Sequence, residues 1–377
     1  MKNSEVIEVL SNLIKCKSIT PNDDGCQTYI GGYLKQLGFN IYLKKYGDVN
    51  NIIAKKGSSG PVIAFVGHTD VVPTGDVNQW ATNPFELTEL KGKLYGRGTS
   101  DMKGSVACMM LAIKKFLEEN SSHDGTIMMI LTSDEEGDAI NGIQKLVSNN
   151  DLKEHNIDMC LIGEPASKNK LGDTIKNGRR GSLSGTVVIK GIQGHIAYPH
   201  NAKNPIHLFS PILDKLVNQE YDRGNDCFPP TSFQISNVNS GVGTANIIPG
   251  ELTFDFNFRY SPESTKEMLQ KNVKDILDSS GVDYGIEWYH SGEPYLTTEK
   301  KLLNVCIDSI NSVLGIKPSV STDGGTSDGR FMAKICNEVI EFGLINESIH
   351  KINEHTTKQD LDDLINIYKK LLNKILT

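Results

Sequence analysis

The sequence lacks the long apolar segments that place a chain in or across a membrane. No run of apolar residues approaches the length of a transmembrane helix, and the first residues have no apolar core of the signal-peptide type. Cysteine is sparse, and the seven residues are an odd number without any C-x-x-C spacing. We therefore expect a cytoplasmic protein whose cysteines are buried free thiols.

An excess of positive charge is also missing. The chain has 39 Lys and Arg against 46 Asp and Glu, which gives a formal net charge of -7 at pH 7. This balance argues against a nucleic acid or an anionic membrane surface as a partner. At 377 residues the chain exceeds the size of a typical single hydrophobic core, so we expect two domains.

What the sequence does contain is a set of short apolar runs that end in polar residues. Residues 61–66 form such a run with β-branched and aromatic side chains, which predicts a fully buried strand. His68 follows at its carboxyl end, where ligands collect in open α/β sheets. Asp70 lies two positions further on, and we expect its carboxylate to accept the second ring N–H of His68. For this fragment alone, a metal ligand and a core histidine bonded to a turn aspartate are equally good interpretations.

Three further apolar runs lead to side chains of the same kind: residues 126–131, 159–162 and 338–342. Asp101 directly precedes a helix that we predict at about 104–118. The candidate ligands at this edge of the predicted sheet are His68, Asp101, Glu135, Glu136, Glu164 and His350. A mixed set of nitrogen and oxygen ligands suits zinc, cobalt or manganese better than a thiolate site would. Because a carboxylate can bridge, one aspartate can hold two metal ions close together.

The pattern of helices and strands divides the chain into two domains. Residues 1–181 alternate helices with apolar strands, which is typical of an α/β domain with a mixed sheet and helices on both faces. Residues 182–291 contain four predicted strands and two helices, which favours an inserted α+β domain of ferredoxin-like type. The α/β pattern returns in residues 292–377, so we expect these to complete the first domain.

Several segments of the chain resemble a known family: HTDVVP (68–73), GRGTSDMKG (96–104), SDEEG (133–137) and GEP (163–165). These segments look like those of the zinc aminoacylase and carboxypeptidase family of dinuclear amidohydrolases. The resemblance continues, in order and over nearly the whole chain, in residues 176–183, 194–200, 321–331 and 349–354. One departure is Leu344, which stands where the family usually has proline.

The resemblance implies a centre with two Zn²⁺ per subunit, for which Co²⁺ or Mn²⁺ are substitutes. His68 and Glu164 would bind one ion, Glu136 and His350 would bind the other, and Asp101 would bridge the two. Two cations lower the pKa of a water molecule and polarise an amide carbonyl.

The resemblance also implies roles for two neighbours of these ligands. Asp70 would support the ligands, and Glu135 would be the general base that takes a proton from the attacking water and passes it to the leaving amine. The competing interpretation of Glu135 and Glu136 is a solvated charge pair that opens the next helix.

In the family, the inserted domain pairs two chains in a homodimer. The resemblance implies that His195 donates a hydrogen bond to the oxyanion of the tetrahedral intermediate, and the alternative is a structural turn histidine. Substrate contacts would come from Arg179, Ser182, Asn246, Arg259, Gly325 and Thr326. A guanidinium fork suits a carboxylate, while ordinary surface salt bridges and a plain glycine turn are the alternatives.

Three functions remain open on this basis. The first is hydrolysis of the amide bond of an N-succinyl diamino diacid, a step of diaminopimelate and lysine biosynthesis. The second is hydrolysis of another small amide on the same centre, such as acetylornithine or a dipeptide. The third is a non-catalytic metal-binding scaffold, which Glu135 disfavours because a scaffold needs no base. We expect the first, with a small-molecule substrate and neither a nucleic acid nor a membrane as partner.

Overall fold

The computed structural model describes residues 4–377, which form two compact units. The first unit consists of the segment that ends at Gly178 together with Leu296–Ser321 and Ser327–Thr377. The second consists of Arg179–Tyr295 and Thr322–Thr326. The domain boundaries at residues 181 and 291 stay a prediction, and the compact units divide the chain close to them.

The strands expected at 61–66, 126–131, 159–162 and 338–342 and the helix expected at about 104–118 are present, with ends that differ by a few residues, whereas several strands of two or three residues were not predicted. The helices are α1 (Glu5–Lys15), α2 (Cys26–Gln36), α3 (Lys103–Glu119), α4 (Ile143–Ser148), α5 (Pro205–Asn218), α6 (Lys266–Ser279), α7 (Lys301–Leu314), α8 (Gly329–Met332) and α9 (Lys358–Leu376). The strands are β1 (Asn40–Tyr46), β2 (Val49–Lys56), β3 (Val62–His68), β4 (Thr88–Leu90), β5 (Lys93–Tyr95), β6 (Thr126–Thr132), β7 (Met159–Ile162), β8 (Thr174–Lys176), β9 (Gly178–Arg179), β10 (Gly181–Lys190), β11 (Gly194–His195), β12 (Ser232–Ser240), β13 (Ile247–Ile248), β14 (Glu251–Tyr260), β15 (Asp283–Gly292), β16 (Tyr295–Leu296), β17 (Ser319–Ser321), β18 (Glu338–Glu341) and β19 (His355–Thr356).

The first unit is built on an eight-stranded mixed sheet of order β1-β2-β6-β3-β7-β18-β8-β17. Its central strands β6, β3, β7 and β18 are parallel, so their carboxyl ends lie at one edge. Along β3, Ile63 and Phe65 join a core cluster with α1, α2, α3, α7 and α9, while Ala64 and Val66 are buried outside that cluster. Since successive side chains point to opposite faces, both faces of β3 are covered. The expected α/β unit with a mixed sheet is confirmed, and its central strand β3 is buried on both faces.

The core fixes the strand ends that carry the polar residues. The ring of Phe65 packs at 5.4 Å from that of Tyr368 on α9, and the Tyr368 hydroxyl donates to the carbonyl oxygen of Phe342 at 2.6 Å. Burying a side chain such as Phe65 contributes about 1.5–3 kcal/mol to the stability of the fold. Leu344, the departure from the family pattern, is also fully buried.

The second unit has a four-stranded antiparallel sheet of order β12-β14-β10-β15. In β14 every second residue is buried, and Phe254, Phe256 and Phe258 pack in one cluster with side chains of α5 and α6. The order β10-α5-β12-β14-α6-β15 along the chain, with this strand order, gives the expected ferredoxin-like arrangement.

One expectation from the sequence is wrong in detail, and one competing interpretation is excluded. All seven cysteines are free and five are buried, but Cys16 is partly exposed and Cys227 is exposed. Glu135 and Glu136 do not open a helix, because they lie in the irregular segment between β6 and α4.

Among residues 4–377, none of the helices combines the length and the apolar composition that a membrane-spanning segment needs.

Candidate metal centre

All six ligand-type residues belong to the first unit, and they converge at the carboxyl edge of its sheet. His68 ends β3, Asp101 precedes α3, and Glu164 follows β7. Glu135 and Glu136 follow β6, and His350 lies in the segment between β18 and β19. The parallel direction of these strands is the reason why residues so far apart in the chain meet here.

Asp101 lies between the two histidines. Its Oδ1 is 3.3 Å from Nε2 of His68, and its Oδ2 is 3.2 Å from Nε2 of His350. A second carboxylate faces each histidine: Oε1 of Glu164 is 3.6 Å from Nε2 of His68, and Oε1 of Glu136 is 3.1 Å from Nε2 of His350. The five side chains thus form two histidine–carboxylate pairs around one shared carboxylate.

Three of these ligand atoms are buried without any hydrogen-bond partner: His68 Nε2, Asp101 Oδ1 and Glu164 Oε1. Leaving a buried polar atom unsatisfied costs about 1–3 kcal/mol, so three such atoms at one point need a physical reason. A shared cation supplies that reason, and imidazole nitrogen with carboxylate oxygen is a donor set that divalent zinc accepts. Glu135 also offers an oxygen within 4.8 Å of ligand atoms of His68 and Glu164. The residues present therefore fit a divalent metal ion.

The support for His68 differs from the prediction. Its Nδ1 donates to the backbone carbonyl of Asp70 at 2.9 Å, whereas the Asp70 carboxylate lies 3.6 Å away. That carboxylate instead accepts the backbone N–H groups of Glu135 at 3.3 Å and Glu136 at 3.1 Å. A carbonyl can only accept, so the proton of the neutral ring sits on Nδ1 and the lone pair of Nε2 faces Asp101. Asp70 therefore holds both the ring of His68 and the segment that follows β6.

Several carboxylates lie close together in the buried space of the centre, and this shifts the pKa values of the titratable groups there. Burial, together with the neighbouring negative charges, raises the pKa of Glu135 and of Glu164 well above the ordinary value. Burial disfavours the charged form of His68, but its contact with Asp101 and the surrounding carboxylates raise the pKa of its ring well above the ordinary value. Hydrogen bonds to Asp101 and Glu136 raise the pKa of His350 to about 10. The same two histidines lower the pKa of Asp101 despite its burial. Such a site attracts positive charge.

Two buried carboxylates near the centre were not singled out from the sequence. Glu354 is fully buried and accepts the backbone N–H of Asp101, and Asp328 is buried close to Glu135, where burial raises the pKa of Asp328 to about 7. Both lie in segments that carry the family resemblance. A single glutamate or aspartate in a loop has no sequence signal of its own, because an exposed residue gives the same pattern.

The remaining predicted residues lie in the second unit and form three local groups. Ser182 on β10 is paired directly opposite Arg259 on β14. Arg179 donates to the carbonyl oxygen of Asp323 at 3.0 Å. Asp323 belongs to the short segment Thr322–Thr326, which also contains Gly325.

The third group joins His195 to Asn246. The carbonyl oxygen of Asn246 accepts the N–H of Ile196 at 3.1 Å, beside the pairing of β11 with β13. Both His195 and Asn246 are exposed. Nδ1 of His195 accepts the backbone N–H of Ala197 at 3.1 Å, which leaves the proton of the neutral ring on the exposed Nε2.

The chain is similar to known proteins in sequence and in fold. The sequence model described as Peptidase family M20/M25/M40 matches residues 64–374. The chain is 50% identical over 375 residues to the succinyl-diaminopimelate desuccinylase of Hydrogenovibrio crunogenus, with 99% of each chain covered. It is 49% identical over 373 residues to the succinyl-diaminopimelate desuccinylase of Nitrosospira multiformis, again with 99% of each covered.

Solved structures share the fold at lower identity. The M20 family metallo-carboxypeptidase Sso-CP2 from Sulfolobus solfataricus superposes with a TM-score of 0.84 at 19% identity, and 98% of each chain is covered. The YXEP protein of Bacillus subtilis, described as a dinuclear metal-binding peptidase of the M20 family, gives a TM-score of 0.72 at 17% identity, with 99% of this chain and 98% of that chain covered.

Proposed function

This chain belongs to Peptidase family M20/M25/M40, and from that premise we propose that it hydrolyses N-succinyl-LL-2,6-diaminopimelate to succinate and LL-2,6-diaminopimelate, a step of lysine and diaminopimelate biosynthesis. The observation that carries the proposal is the convergence of three buried, unpartnered ligand atoms in a chain about half identical to two desuccinylases. A metal-dependent hydrolase is the enzyme class that both facts support.

The metal centre that we propose holds two Zn²⁺, with Co²⁺ or Mn²⁺ as substitutes. His68 and Glu164 would bind one ion, Glu136 and His350 the other, and Asp101 would bridge them. When bound, the two cations would polarise the amide carbonyl and lower the pKa of the attacking water. A bridging carboxylate also offsets the repulsion between two cations.

Glu135 is the general base in this proposal. Its carboxylate accepts a proton from the attacking water and delivers it to the nitrogen of the leaving amine. Two contacts support that role: its oxygen lies within 4.8 Å of ligand atoms of His68 and Glu164, and its backbone N–H donates to Asp70. Asp70 therefore orients the base and the ring of His68 together.

The second unit supplies substrate recognition in this proposal. Arg179 and Arg259 bind carboxylates of the substrate, because a guanidinium fork matches a carboxylate with two parallel hydrogen bonds. Ser182, Asn246, Gly325 and Thr326 contact the rest of the substrate. His195 donates from Nε2 to the oxyanion that forms on the amide carbonyl, within a homodimer that pairs through this unit.

A side-by-side assay tests the substrate. The metal-loaded protein is given N-succinyl-LL-2,6-diaminopimelate, acetylornithine and a dipeptide, and kcat/KM is measured for each. We expect kcat/KM for the succinyl substrate to exceed kcat/KM for the other two by about a hundredfold or more, because a site built for a carboxylate rejects analogues that leave its donors unpaired. A neutral amide analogue of the succinyl group serves as the matched control. Faster turnover of acetylornithine or the dipeptide would favour another amide substrate on the same centre.

A further inference from the structure

Glu354 collects four hydrogen-bond donors in the interior of the first unit. Its Oε1 accepts the backbone N–H groups of Ser100 and Asp101, each at 2.9 Å. Its Oε2 accepts the backbone N–H of Gly98 at 2.9 Å and Nη1 of Arg97 at 2.8 Å. The side chain is fully buried. Glu354 therefore holds the segment that ends in Asp101 by its backbone, directly at the residue with the shared carboxylate.

Arg97 extends this attachment to the other segments of the centre. Its guanidinium donates to the carbonyl oxygens of Lys351 at 3.2 Å and Pro73 at 3.3 Å. The guanidinium also lies over the ring of Trp80, 5.2 Å from the centroid, and Arg97 is 1% exposed. One ion pair thus connects the segment after β3, the segment before α3 and the segment that contains His350.

We propose that Arg97 and Glu354 are positioning residues that set the spacing of the metal ligands His68, Asp101 and His350. A buried ion pair is by itself weak evidence of a stabilising role, since the cost of removing two charges from water offsets most of their attraction. The carboxylate oxygens of Glu354 have a clearer role. They accept hydrogen bonds from the backbone just before Asp101 and from Asp101 itself, and such outer contacts orient ligands in metal sites. The inference rests on the dinuclear centre proposed above.

Glu354→Gln is the decisive variant, because an amide has one acceptor oxygen for two groups of donors. In either orientation its NH₂ faces N–H donors, so the segment from Gly98 to Asp101 must move. We expect metal affinity to fall by about 10- to 100-fold. The measurement is a titration of the metal-free protein with Zn²⁺ in competition with a chromogenic chelator, which needs no substrate.

Asp222→Asn is the matched control. Asp222 also collects several donors, among them the backbone N–H groups of Gly224 and Thr231, each at 2.9 Å, but it belongs to the second unit, which contains none of the proposed metal ligands. This variant should lose stability and keep the metal affinity of the native protein within about twofold, which excludes a general effect of weakened packing.

Arg97→Lys decides the matter if Glu354→Gln does not fold. The acceptors of Arg97 are divided between Nη1 and Nη2, and the single nitrogen of a lysine cannot occupy both positions, so a folded Arg97→Lys protein should bind Zn²⁺ about tenfold less tightly. Native-like affinity in a folded variant of either residue would overturn the positioning role. If the native protein binds two metal ions but does not cleave the succinyl substrate, the proposed function fails while this titration still tests the inference.

Discussion

A half-buried carboxylate of the second unit and the buried carboxylate atoms of the first unit have opposite hydrogen-bonding environments. In the second unit Asp222 accepts two backbone N–H groups and hydroxyl groups of Thr231, Ser261 and Ser264. Burial opposes its ionisation, but these hydrogen bonds lower the pKa of Asp222 to about 2. In the first unit Oδ1 of Asp101 and Oε1 of Glu164 have no donor at all.

The difference separates a carboxylate that builds the fold from the carboxylates that we propose as metal ligands. A satisfied carboxylate joins segments of backbone, and its own charge is neutralised by donors that the chain provides. A carboxylate that faces histidines and other carboxylates without a donor destabilises the metal-free protein, so it indicates a cation. The first unit contains both kinds of carboxylate. Every oxygen of Glu354 accepts hydrogen bonds, and Glu354 in turn holds the backbone of Asp101, whose own Oδ1 has no donor.

The largest effect should come from removing the shared ligand. Asp101→Ala should lower the metal content from two ions per chain to one or none. It should also reduce kcat/KM on the order of ten-thousandfold or more, because several kcal/mol of transition-state stabilisation depend on the metal. Metal analysis and steady-state kinetics check this, with Asp222→Ala as the control that keeps both ions. One ion per chain in the native protein, unchanged by Asp101→Ala, would contradict the bridged centre.

The next effect separates two neighbours on the same segment. Glu135→Ala should lower kcat by about a hundredfold to ten-thousandfold, because a general base is lost, and should leave the metal content unchanged. Glu136→Ala should lose a metal ion. Metal analysis of both variants in parallel makes the comparison. If Glu135→Ala loses the ion and Glu136→Ala keeps it, the two assignments are reversed.

A smaller effect tests whether the second unit contributes to chemistry. His195→Ala should lower kcat by about a hundredfold to a thousandfold, as is typical when one oxyanion donor is removed. The variant should keep its metal ions, since no proposed ligand lies in the second unit.

If His195 of each chain donates to the oxyanion in the partner subunit's site, mixing the His195→Ala and Glu135→Ala proteins should restore activity. About half of the dimers become hybrids after subunit exchange, and each hybrid has one site with both groups intact, so roughly a quarter of all sites recover. No recovery despite demonstrated subunit exchange would mean that His195 does not serve a partner's site.

The sequence predicts the frame of the first unit because its central strands are continuous apolar runs. β3, β6 and β7 are buried on both faces, and that burial is visible in their composition. The strands β4, β5, β8 and β17 escaped prediction because each has three residues, too few to show a period. Their pairing depends on neighbours distant in the chain.

The candidate site was likewise predictable in part. Ligand-type residues at strand ends could be predicted, since parallel strands bring their carboxyl ends together. The position of Glu354 could not, because its partners are 253–257 residues away in the chain. Nor could the partner of the His68 ring, because the choice between the carbonyl and the carboxylate of Asp70 depends on backbone direction after β3.

The smallest effect should come from Asp222, and its size depends on pH. Because the folded pKa of about 2 lies below the ordinary 3.8, the charged carboxylate stabilises the fold above about pH 4, and this stabilisation is lost as the pH falls toward 2. Asp222→Asn should therefore lower the free energy of unfolding on the order of 1 kcal/mol at pH 6, and by less at pH 3. Urea denaturation of the metal-free native and variant proteins at both pH values measures the difference. Protonation of the metal ligands affects both proteins equally, so it cancels in the comparison. A difference that stays constant between pH 6 and pH 3 would mean that the charge of Asp222 is not what its donors stabilise, and the contrast with Asp101 would then rest on geometry alone.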